Sequence, residues 1–476
     1  MKKHIHFIGI CGVAMSALAI AYHKKGYRVT GSDKGFYPPV STYLKEEGID
    51  YYPGWHPEKM TNDGNPDLVI VGNVAGSNNP EWHYAKEHHI AYLSYPEAIA
   101  RDVVKKNSIV CAGTYGKSTS ASILAWILHE AGFDPSYMFG GISLNDIPAA
   151  KIDESDYSVL EGDEYKSSSW DNKAKFFHYS PTHLLLTSVV WDHADVYPTE
   201  EDYKNAFRQL VSRLPENGLL VVSEKVRKIE DYFLLPACRQ ARRKNKTEDC
   251  TVIRYGQDEK NDYQYYDVQI SKHGVQFKIK HKSSVFSLQS SSLGSYMADN
   301  MTGCFVMAHQ LGMEPEEIIK HLASYKNIKR RLEKRFDGDI TVFDDIAHSP
   351  AKATAVLASI RTLYNGRLFV VFEPNTGNRK PVSFPGYDNA FASADEVIIP
   401  RLSRVKVVAD DPEKPVYGKE LAGIIGKTHN NVQYMPADET LVEYLLTQTT
   451  KGDVVAFLGS HGFRGMIDQL VSKLSE

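Results

Sequence analysis

The chain has 476 residues, of which 42% are hydrophobic and 24% charged, and its formal net charge is −4. This length favours about three domains, and the nearly balanced charge argues against a nucleic-acid-binding protein. The five cysteines lie far apart without a C-x-x-C pair, which argues against a disulfide framework or a cysteine-bound zinc ion. The first residues are too polar for a signal peptide, and no run of about 18 apolar residues is present. We therefore expect a cytoplasmic protein without a membrane-spanning segment.

The first part of the chain, up to about residue 105, alternates between strand-like and helix-like segments. Strands are predicted at residues 4–10, 27–30, 68–71 and 90–93, with a helix at residues 13–25. This β-α-β order is typical of a small parallel sheet with helices on its faces.

The turn after the first predicted strand keeps only part of the dinucleotide fingerprint G-x-G-x-x-G. Gly9 takes the first glycine position, whereas Cys11 and Ala14 replace the second and third glycines. A nicotinamide-dependent oxidoreductase is therefore a poor interpretation. A shorter nucleotide that carries phosphate could still bind at the N-terminus of the following helix. Asp33, at the end of the second strand, is well placed to meet a ribose or a base.

The most specific motif, Gly113 to Thr119, lies between a predicted strand and an amphipathic helix. Glycines let backbone N–H groups point at phosphate oxygens, and the helix dipole adds positive potential. Lys117 could reach the outer phosphates, and the hydroxyl of Ser118 or Thr119 could bind Mg²⁺. The motif departs from the pattern G-x-x-x-x-G-K-[ST], because Cys111 stands where the first glycine is expected. It nevertheless predicts a nucleoside triphosphate site.

Two acidic segments follow, each at the end of a predicted strand. The first contains Glu161, and the second is D-H-A-D at residues 192–195. Because ligands gather beyond the carboxyl ends of parallel strands, we expect both segments to converge on the phosphate-binding loop at residues 113–119, called the P-loop below. Glu161 with Ser118 or Thr119 offers the oxygen ligands that Mg²⁺ prefers, and His193 could bind a second cation. This convergence predicts catalysis rather than nucleotide binding alone.

The remaining elements continue the order of strands and helices. In the second region, strands are predicted at residues 108–112, 157–160, 183–190 and 218–222, and antiparallel hairpins at 255–288. In the third region, strands are predicted at residues 340–343, 367–372, 396–399 and 453–458. The basic run at residues 239–246 is interpreted as a solvated helix face rather than a binding patch.

Together these motifs resemble the Mur ligase family over essentially the whole chain. The P-loop of that family has the form G-T-x-G-K-[TS]-[TS], as residues 113–119 do, which accounts for the missing first glycine. The Mg²⁺ glutamate of the family corresponds to Glu161, and its D-H-x-D element to residues 192–195. Residues 330–333 resemble the element that closes the central domain, and residues 344–350 resemble the D-D-x-x-H-H-P start of the C-terminal domain.

Two of these motifs are only partly kept. In the adenine-contacting motif G-x-H-N-x-x-N, Gly294 and Asn300 match, whereas Tyr296 and Met297 replace the histidine and the first asparagine. Ser349 replaces the second histidine of the C-terminal motif. These substitutions keep open an alternative function, that of a nucleotide-binding regulator without turnover.

The resemblance implies an α/β protein of three domains. They are a Rossmann-like UDP-sugar-binding domain at residues 1–105, a central P-loop ATPase-like domain with a mostly parallel sheet at 106–334, and a Rossmann-like domain for the amino acid or peptide at 335–476. It also implies an ATP-dependent, ADP-forming carbon–nitrogen ligase that uses Mg²⁺ and acts on UDP-N-acetylmuramate. Such a protein binds neither nucleic acid nor membrane and is a monomer or a weak homodimer.

The resemblance also assigns roles to individual residues. Catalysis is expected of Lys117, Glu161 and His193, and Mg²⁺ binding of Ser118, Glu161 and His193. ATP is expected to contact Gly113, Thr114, Gly116, Lys117, Ser118, Thr119, Asn300, Arg331, Asp345 and His348. The UDP-sugar is expected to contact Gly9, Cys11, Gly12, Met15, Ser16, Ser32, Asp33 and Asn73. The cationic residues expected to bind the acceptor are Arg379, Lys380, His461 and Arg464.

Two branches of the family begin with a UDP-binding turn of this kind, and they add different amines to UDP-N-acetylmuramate. One adds L-alanine, and the other adds the tripeptide L-alanyl-γ-D-glutamyl-meso-diaminopimelate in peptidoglycan recycling. The turn at residues 9–12, residues 37–42 and the segment S-H-G-F-R-G at 460–465 resemble the tripeptide branch. Asn375 and Thr376 stand where the L-alanine branch usually carries a histidine and arginines. The tripeptide is therefore the expected acceptor, and L-alanine is the alternative.

Overall fold

The computed structural model describes residues 2–36, 40–73, 75–191, 196–229, 250–403 and 414–476. These residues form three sheets flanked by helices, and the chain divides into two compact units. The first unit holds two sheets and extends to residue 327, except for residues 270–274 and 293–295, which belong with residues 328–476 in the second unit. The three-sheet α/β architecture confirms the predicted fold class. The predicted domain boundary at residue 334 falls inside a strand, and the boundaries themselves stay a prediction.

The N-terminal sheet is parallel, with the strand order β3-β2-β1-β4-β5. Its strands are β1 (His4–Ile8), β2 (Arg28–Asp33), β3 (Asp50–Pro53), β4 (Leu68–Val71) and β5 (Tyr92–Ser94). Its helices are α1 (Val13–Lys24), α2 (Val40–Glu46), α3 (Pro57–Met60), α4 (Pro80–Glu87) and α5 (Tyr95–Asp102). The first strand ends at Ile8, before the predicted residue 10, because Gly9 turns the chain with a φ of +88°. The strand order changes direction between β1 and β4, where sheets of this kind bind ligands.

A buried carboxylate connects α4 to this sheet. Glu81 is fully buried, and its Oε2 accepts a hydrogen bond from the hydroxyl of Ser32. Its Oε1 accepts hydrogen bonds from Tyr52 OH and from the backbone N–H of His56, both at 2.7 Å. Burial alone would raise the pKa of Glu81, but His6, Ser32 and Tyr52 outweigh it and lower the pKa. These donors satisfy the buried charge and fix the helix on the sheet.

The central sheet has the strand order β15-β14-β13-β12-β11-β10-β6-β9-β7-β8. Its strands are β6 (Asn107–Ala112), β7 (Ser136–Met138), β8 (Ala150–Lys151), β9 (Tyr157–Gly162), β10 (His183–Leu186), β11 (Leu219–Ser223), β12 (Thr251–Gly256), β13 (Tyr263–Ser271), β14 (Gly274–His281) and β15 (Ser284–Ser290). Its helices are α6 (Lys117–Glu130), α7 (Glu200–Val211), α8 (Tyr296–Gln310) and α9 (Pro315–Ala323), with 3₁₀ helices at Lys175–His178 and Glu224–Ile229. The predicted hairpins are confirmed for β14 and β15, which pair in antiparallel fashion. The prediction is wrong for β12 and β13, which pair in parallel because the loop at residues 257–262 returns the chain to the same direction.

The C-terminal sheet has the strand order β16-β17-β21-β18-β19-β20, with β16 antiparallel at its edge. Its strands are β16 (Glu333–Asp337), β17 (Thr341–Asp345), β18 (Leu368–Glu373), β19 (Glu396–Pro400), β20 (Val432–Met435) and β21 (Val454–Gly459). Its helices are α10 (Pro350–Arg361), α11 (Gly418–Ile425), α12 (Asp438–Gln448) and α13 (Met466–Ser475), with 3₁₀ helices at Gly377–Arg379, Pro381–Tyr387 and Phe463–Gly465. Helices α10 and α11 contribute to one apolar cluster of this unit, and α12 and α13 to another. None of the helices in the described ranges combines the length and apolarity that a membrane crossing requires.

Candidate active site

The P-loop connects β6 to α6 and depends on two glycines. Gly113 has a φ of +140° and Gly116 a φ of +85°. A Cβ atom at Gly113 would lie 2.3 Å from Thr187 Oγ1, and one at Gly116 would lie 2.5 Å from Asn300 Oδ1. Both positions therefore require glycine, for the backbone conformation and for the space around it.

Lys117, the first residue of α6, forms an ion pair with a buried glutamate. Its Nζ lies 3.0 Å from Oε2 of Glu164, whose side chain is fully buried. Burial alone would lower the pKa of Lys117, but the carboxylates of Glu164, Asp163 and Glu161 outweigh it and raise the pKa. Lys117 is therefore held as a cation within the P-loop, and its role in the transfer of a phosphoryl group stays a prediction.

Glu161, near the end of β9, lies beside the N-terminal end of the same helix. Its Oε1 accepts a hydrogen bond from Ser118 Oγ at 2.5 Å, and its Oε2 accepts one from the backbone N–H of Gly140 at 2.5 Å. Burial raises the pKa of Glu161 against the opposing effect of Lys117. In the described part of the chain, no three His, Cys, Asp or Glu residues group together as metal ligands. A hydroxyl beside a carboxylate nevertheless fits Mg²⁺, because this ion takes few protein ligands when phosphates supply the others.

The segment after β10, residues 187–190, forms hydrogen bonds with the P-loop. Thr114 Oγ1 donates a hydrogen bond to the carbonyl of Val190 at 2.8 Å, and the backbone N–H of Tyr115 donates one to Ser188 Oγ at 3.0 Å. Because residues 187–190 make these contacts, the strand ends before the predicted residue 190. No sequence motif indicates Ser188 as a neighbour of the P-loop.

Three further residues complete the surroundings of the P-loop. Cys111 lies inside β6, in register with Glu161 of β9, so the position of the missing first glycine belongs to the strand. Thr119 is buried in α6, and Asn300 is buried in α8 with its side chain against Gly116. Burial raises the pKa of the Cys111 thiol, which fits a packing role rather than a reactive one.

A cavity of about 420 Å³ opens at the turn after β1. The predicted UDP-sugar residues that line it are Gly9, Cys11, Gly12, Met15, Asp33 and Asn73. The cavity is also lined by Tyr95, Ser167 and Lys175, which belong to no motif of the sequence. Asp33 Oδ2 accepts a hydrogen bond from the backbone N–H of Cys11 at 2.9 Å and thereby holds the turn.

Two predicted UDP-sugar residues do not line this cavity. The hydroxyl of Ser16 donates a hydrogen bond to the carbonyl of Val13 at 3.0 Å, within α1. The hydroxyl of Ser32 donates to the buried carboxylate of Glu81. Both hydroxyls are therefore engaged inside the N-terminal fold, and a contact of either with a ligand stays a prediction.

A smaller cavity of about 90 Å³ adjoins the larger one. It is lined by Glu161 and Asp163, and it shares Ala14, Tyr95 and Lys175 with the larger cavity. The carboxylates beside the P-loop and the turn after β1 therefore face adjoining spaces within the first unit.

Three predicted ATP-binding residues lie in the second unit. Asp345, at the end of β17, accepts hydrogen bonds from the backbone N–H groups of Leu332 at 2.6 Å and Ala347 at 2.8 Å. Burial raises the pKa of Asp345 against the opposing effect of Arg331. The Nδ1 atom of His348 lies 2.7 Å from a backbone carbonyl of its own loop. Roles of these residues in binding ATP stay predictions.

The predicted acceptor residues differ in exposure. Arg379 is only 2% exposed and donates a hydrogen bond to a backbone carbonyl, and burial lowers its pKa. Arg464 binds both carboxylate oxygens of Asp438, at 2.8 and 2.9 Å. His461 is exposed, and Lys380 is half-buried. The two guanidinium groups are therefore engaged by the protein itself.

Three predicted features lie outside the described residues. They are the D-H-x-D element at residues 192–195, which includes His193, the segment at residues 37–39, and the basic run at residues 239–246. The expected roles of His193 in catalysis and in metal binding thus stay predictions.

The P-loop, its lysine and the neighbouring carboxylates define the site of a nucleotide-dependent enzyme. The chain matches the Mur ligase family, catalytic domain, at residues 4–103, the Mur ligase middle domain at residues 111–308, and the Mur ligase, glutamate ligase domain at residues 330–461. It therefore belongs to the Mur ligase family, whose members are ATP-dependent, ADP-forming ligases.

Individual relatives show how far this similarity extends. The chain is 28% identical over 478 residues to the UDP-N-acetylmuramate–L-alanyl-γ-D-glutamyl-meso-2,6-diaminoheptandioate ligase of Haemophilus influenzae, covering 99% of both chains. It is 30% identical over 464 residues to the UDP-N-acetylmuramate–L-alanine ligase of Clostridium tetani, covering 96% of this chain and 95% of the relative. A murein peptide ligase from Psychrobacter arcticus has a similar structure, with a TM-score of 0.72 and 26% identity over 100% of this chain and 99% of that chain.

Proposed function

We propose that the protein joins L-alanyl-γ-D-glutamyl-meso-diaminopimelate to UDP-N-acetylmuramate, with hydrolysis of ATP to ADP and phosphate. The observation that carries the proposal is the adjacency of the two cavities, one at the nucleotide-type turn and one at the carboxylates beside the P-loop. A UDP-sugar bound in the larger cavity could thereby present its acid group to the phosphate site. The similarity to the Haemophilus influenzae ligase over 99% of both chains supports the tripeptide as acceptor.

The first step activates the carboxylate of the muramic acid. A carboxylate oxygen attacks the γ-phosphorus of ATP, the bond to the β–γ bridging oxygen breaks, and ADP leaves as an acyl phosphate forms. Lys117 would neutralise the charge that develops on the transferred group. The helix N-terminus and the glycine-rich turn at residues 113–116 would bind the phosphates through backbone N–H groups.

The second step forms the amide bond. The amino group of the tripeptide attacks the acyl carbon, a tetrahedral intermediate forms, and phosphate leaves while the nitrogen loses a proton. Cationic residues of the second unit, among them Lys380 and His461, are proposed to meet the carboxylates of the peptide. Closure of the site against water would protect the acyl phosphate from hydrolysis.

Mg²⁺ is proposed to bind to Ser118 and Glu161, with His193 at a second position. A divalent cation would supply positive charge at the phosphates during transfer. Because ATP and UDP-sugars are metabolites of the cytoplasm, we place the reaction there. A monomer or a weak homodimer is proposed.

L-alanine is the second candidate acceptor, because the chain is 30% identical to the UDP-N-acetylmuramate–L-alanine ligase of Clostridium tetani. The experiment measures ADP release with UDP-N-acetylmuramate, ATP and Mg²⁺ while either the tripeptide or L-alanine is added. Stimulation by the tripeptide alone supports the proposal, and stimulation by L-alanine alone replaces it with the second candidate. If neither amine stimulates ADP release although ATP binds, the alternative of a nucleotide-binding regulator survives. The matched control is Lys117→Met, which should abolish ADP release with both amines.

A further inference from the structure

Lys175 occupies the junction between the two cavities. It is the first residue of the 3₁₀ helix Lys175–His178, and its side chain is 19% exposed. Together with Tyr95 it lines both the cavity at the turn after β1 and the cavity beside Glu161. A molecule that reaches from the first cavity into the second therefore passes this residue.

The position of the ammonium group of Lys175 is fixed by the surrounding loop. The backbone N–H of Lys175 donates a hydrogen bond to the carbonyl of Tyr165 at 2.9 Å. Its Nζ lies 2.7 Å from Oδ2 of Asp163 and 5.9 Å from the ring centroids of Tyr95 and Tyr165. An anchored backbone, an ion pair and two aromatic rings limit the freedom of a side chain that is otherwise long and flexible.

The charges around the junction explain why a cation is needed there. Three carboxylates lie close together, those of Glu161, Asp163 and Glu164, and the cation of Lys117 is paired with Glu164. A substrate that carries its own carboxylate would be repelled by this group of acids. Lys175 is the lysine that faces both cavities, and its partner Asp163 is itself 23% exposed.

We propose that Lys175 binds the carboxylate of the lactyl ether of muramic acid and thereby selects an acidic UDP-sugar over its neutral parent. This inference rests on the proposed function, because it assigns the group that recognises the acid of that substrate. Without substrate, the ammonium group of Lys175 is paired with Asp163 alone. When the substrate is bound, the ammonium group contacts both Asp163 and the substrate carboxylate. Lys175 is thus a specificity-determining residue that contacts the substrate at its reacting end.

The test compares two sugar nucleotides that differ in the carboxylate. UDP-N-acetylmuramate carries the lactyl ether, and UDP-N-acetylglucosamine lacks it. Calorimetry measures the affinity of the full-length protein for each, without ATP and acceptor. For Lys175→Met, the affinity for UDP-N-acetylmuramate should fall about 10- to 100-fold, as for loss of a hydrogen bond to a charged group. The affinity for UDP-N-acetylglucosamine should stay unchanged.

Three further variants separate recognition from folding. Lys175→Arg keeps the charge and should keep most of the preference for the acidic sugar. Lys173→Met removes an exposed lysine of the same loop and should leave both affinities unchanged. Asp163→Asn combined with Lys175→Met removes both members of the ion pair and should still lose the preference. Equal weakening for both sugars, or no weakening, overturns the inference while the proposed function stands. Absence of UDP-N-acetylmuramate binding in the unmodified protein overturns both.

Discussion

Replacement of Lys117 by methionine tests whether the cation of the P-loop also stabilises the first unit. Its ion pair with Glu164 has an N–O distance of 3.0 Å, and the two side chains are 15% and 0% exposed. Removal of one partner of a buried pair typically costs about 3 to 5 kcal/mol, because the other charge is left without compensation. Since Lys117 is slightly exposed, we expect Lys117→Met to lower the free energy of unfolding by about 3 kcal/mol in urea without nucleotide.

The double variant decides whether the ion pair is the cause. Lys117→Met combined with Glu164→Gln leaves no charge at the buried position, so it should recover about 2 kcal/mol of the loss. The four proteins of this double-mutant cycle are compared by urea unfolding under one set of conditions. The matched control is Lys166→Met, an exposed lysine of the same region, which should change the free energy of unfolding by less than about 0.5 kcal/mol. A double variant as unstable as the sum of its two single variants would refute the reasoning.

Three further predictions concern other groups of the first unit. Gly113→Ala should lower the free energy of unfolding by about 2 to 5 kcal/mol, from backbone strain and from the clash with the segment after β10. Gly132→Ala is its control, because that glycine has a φ of +76° but no atom near an added Cβ. Backbone strain alone should lower its free energy of unfolding, measured by heat or urea, by about 1 to 2 kcal/mol. Burial raises the pKa of Glu161, so protons should compete with Mg²⁺ at a higher pH than for an ordinary glutamate. The Mg²⁺ concentration for half-maximal ADP release should therefore rise as the pH falls towards that pKa, and a pH-independent value contradicts the assignment. Glu81→Gln should lower the free energy of unfolding by about 1 to 3 kcal/mol, because an amide nitrogen cannot accept a hydrogen bond from a hydroxyl group. The control is Glu87→Gln, on the exposed side of the same helix, which should leave thermal unfolding nearly unchanged. Equal effects of the two variants would contradict the role of the buried carboxylate.

Local features of the structure could be predicted well from the sequence. The P-loop lies between a strand and a helix as predicted, because its glycines and lysine act through backbone geometry over a few residues. The predicted strands of the parallel sheets lie within a few residues of the observed ones, since their apolar runs are buried on both faces. The short strands β3, β7 and β20 were not predicted. Errors at strand ends have a tertiary cause. Three of residues 187–190 are β-branched and favour a strand, but this segment contacts the P-loop instead.

Contacts between distant segments could not be predicted in the same way. Lys175 follows an irregular loop, and no motif shows that its side chain meets Asp163 and the two cavities. Glu164 lies only three positions after Glu161, the predicted Mg²⁺ ligand. The sequence does not show which of these neighbouring acidic residues pairs with Lys117. The burial of Arg379 could not be predicted, because arginine side chains are mostly exposed in folded proteins. Each of these depends on how loops fold back, which hydrophobic periodicity does not encode.

The carboxylate of Glu81 also determines where the N-terminal domain can be divided. Its three hydrogen-bond donors, on Ser32, Tyr52 and His56, all precede it in the chain. A fragment that ends before residue 80 would contain β1 to β4 but would leave these donors without their acceptor. If the chain were divided between residues 56 and 81, one fragment would hold the hydrogen-bond donors and the other would hold Glu81. These hydrogen bonds would form only when α4 packs on the sheet again. The chain could therefore serve as a split protein whose halves report on their own reassociation.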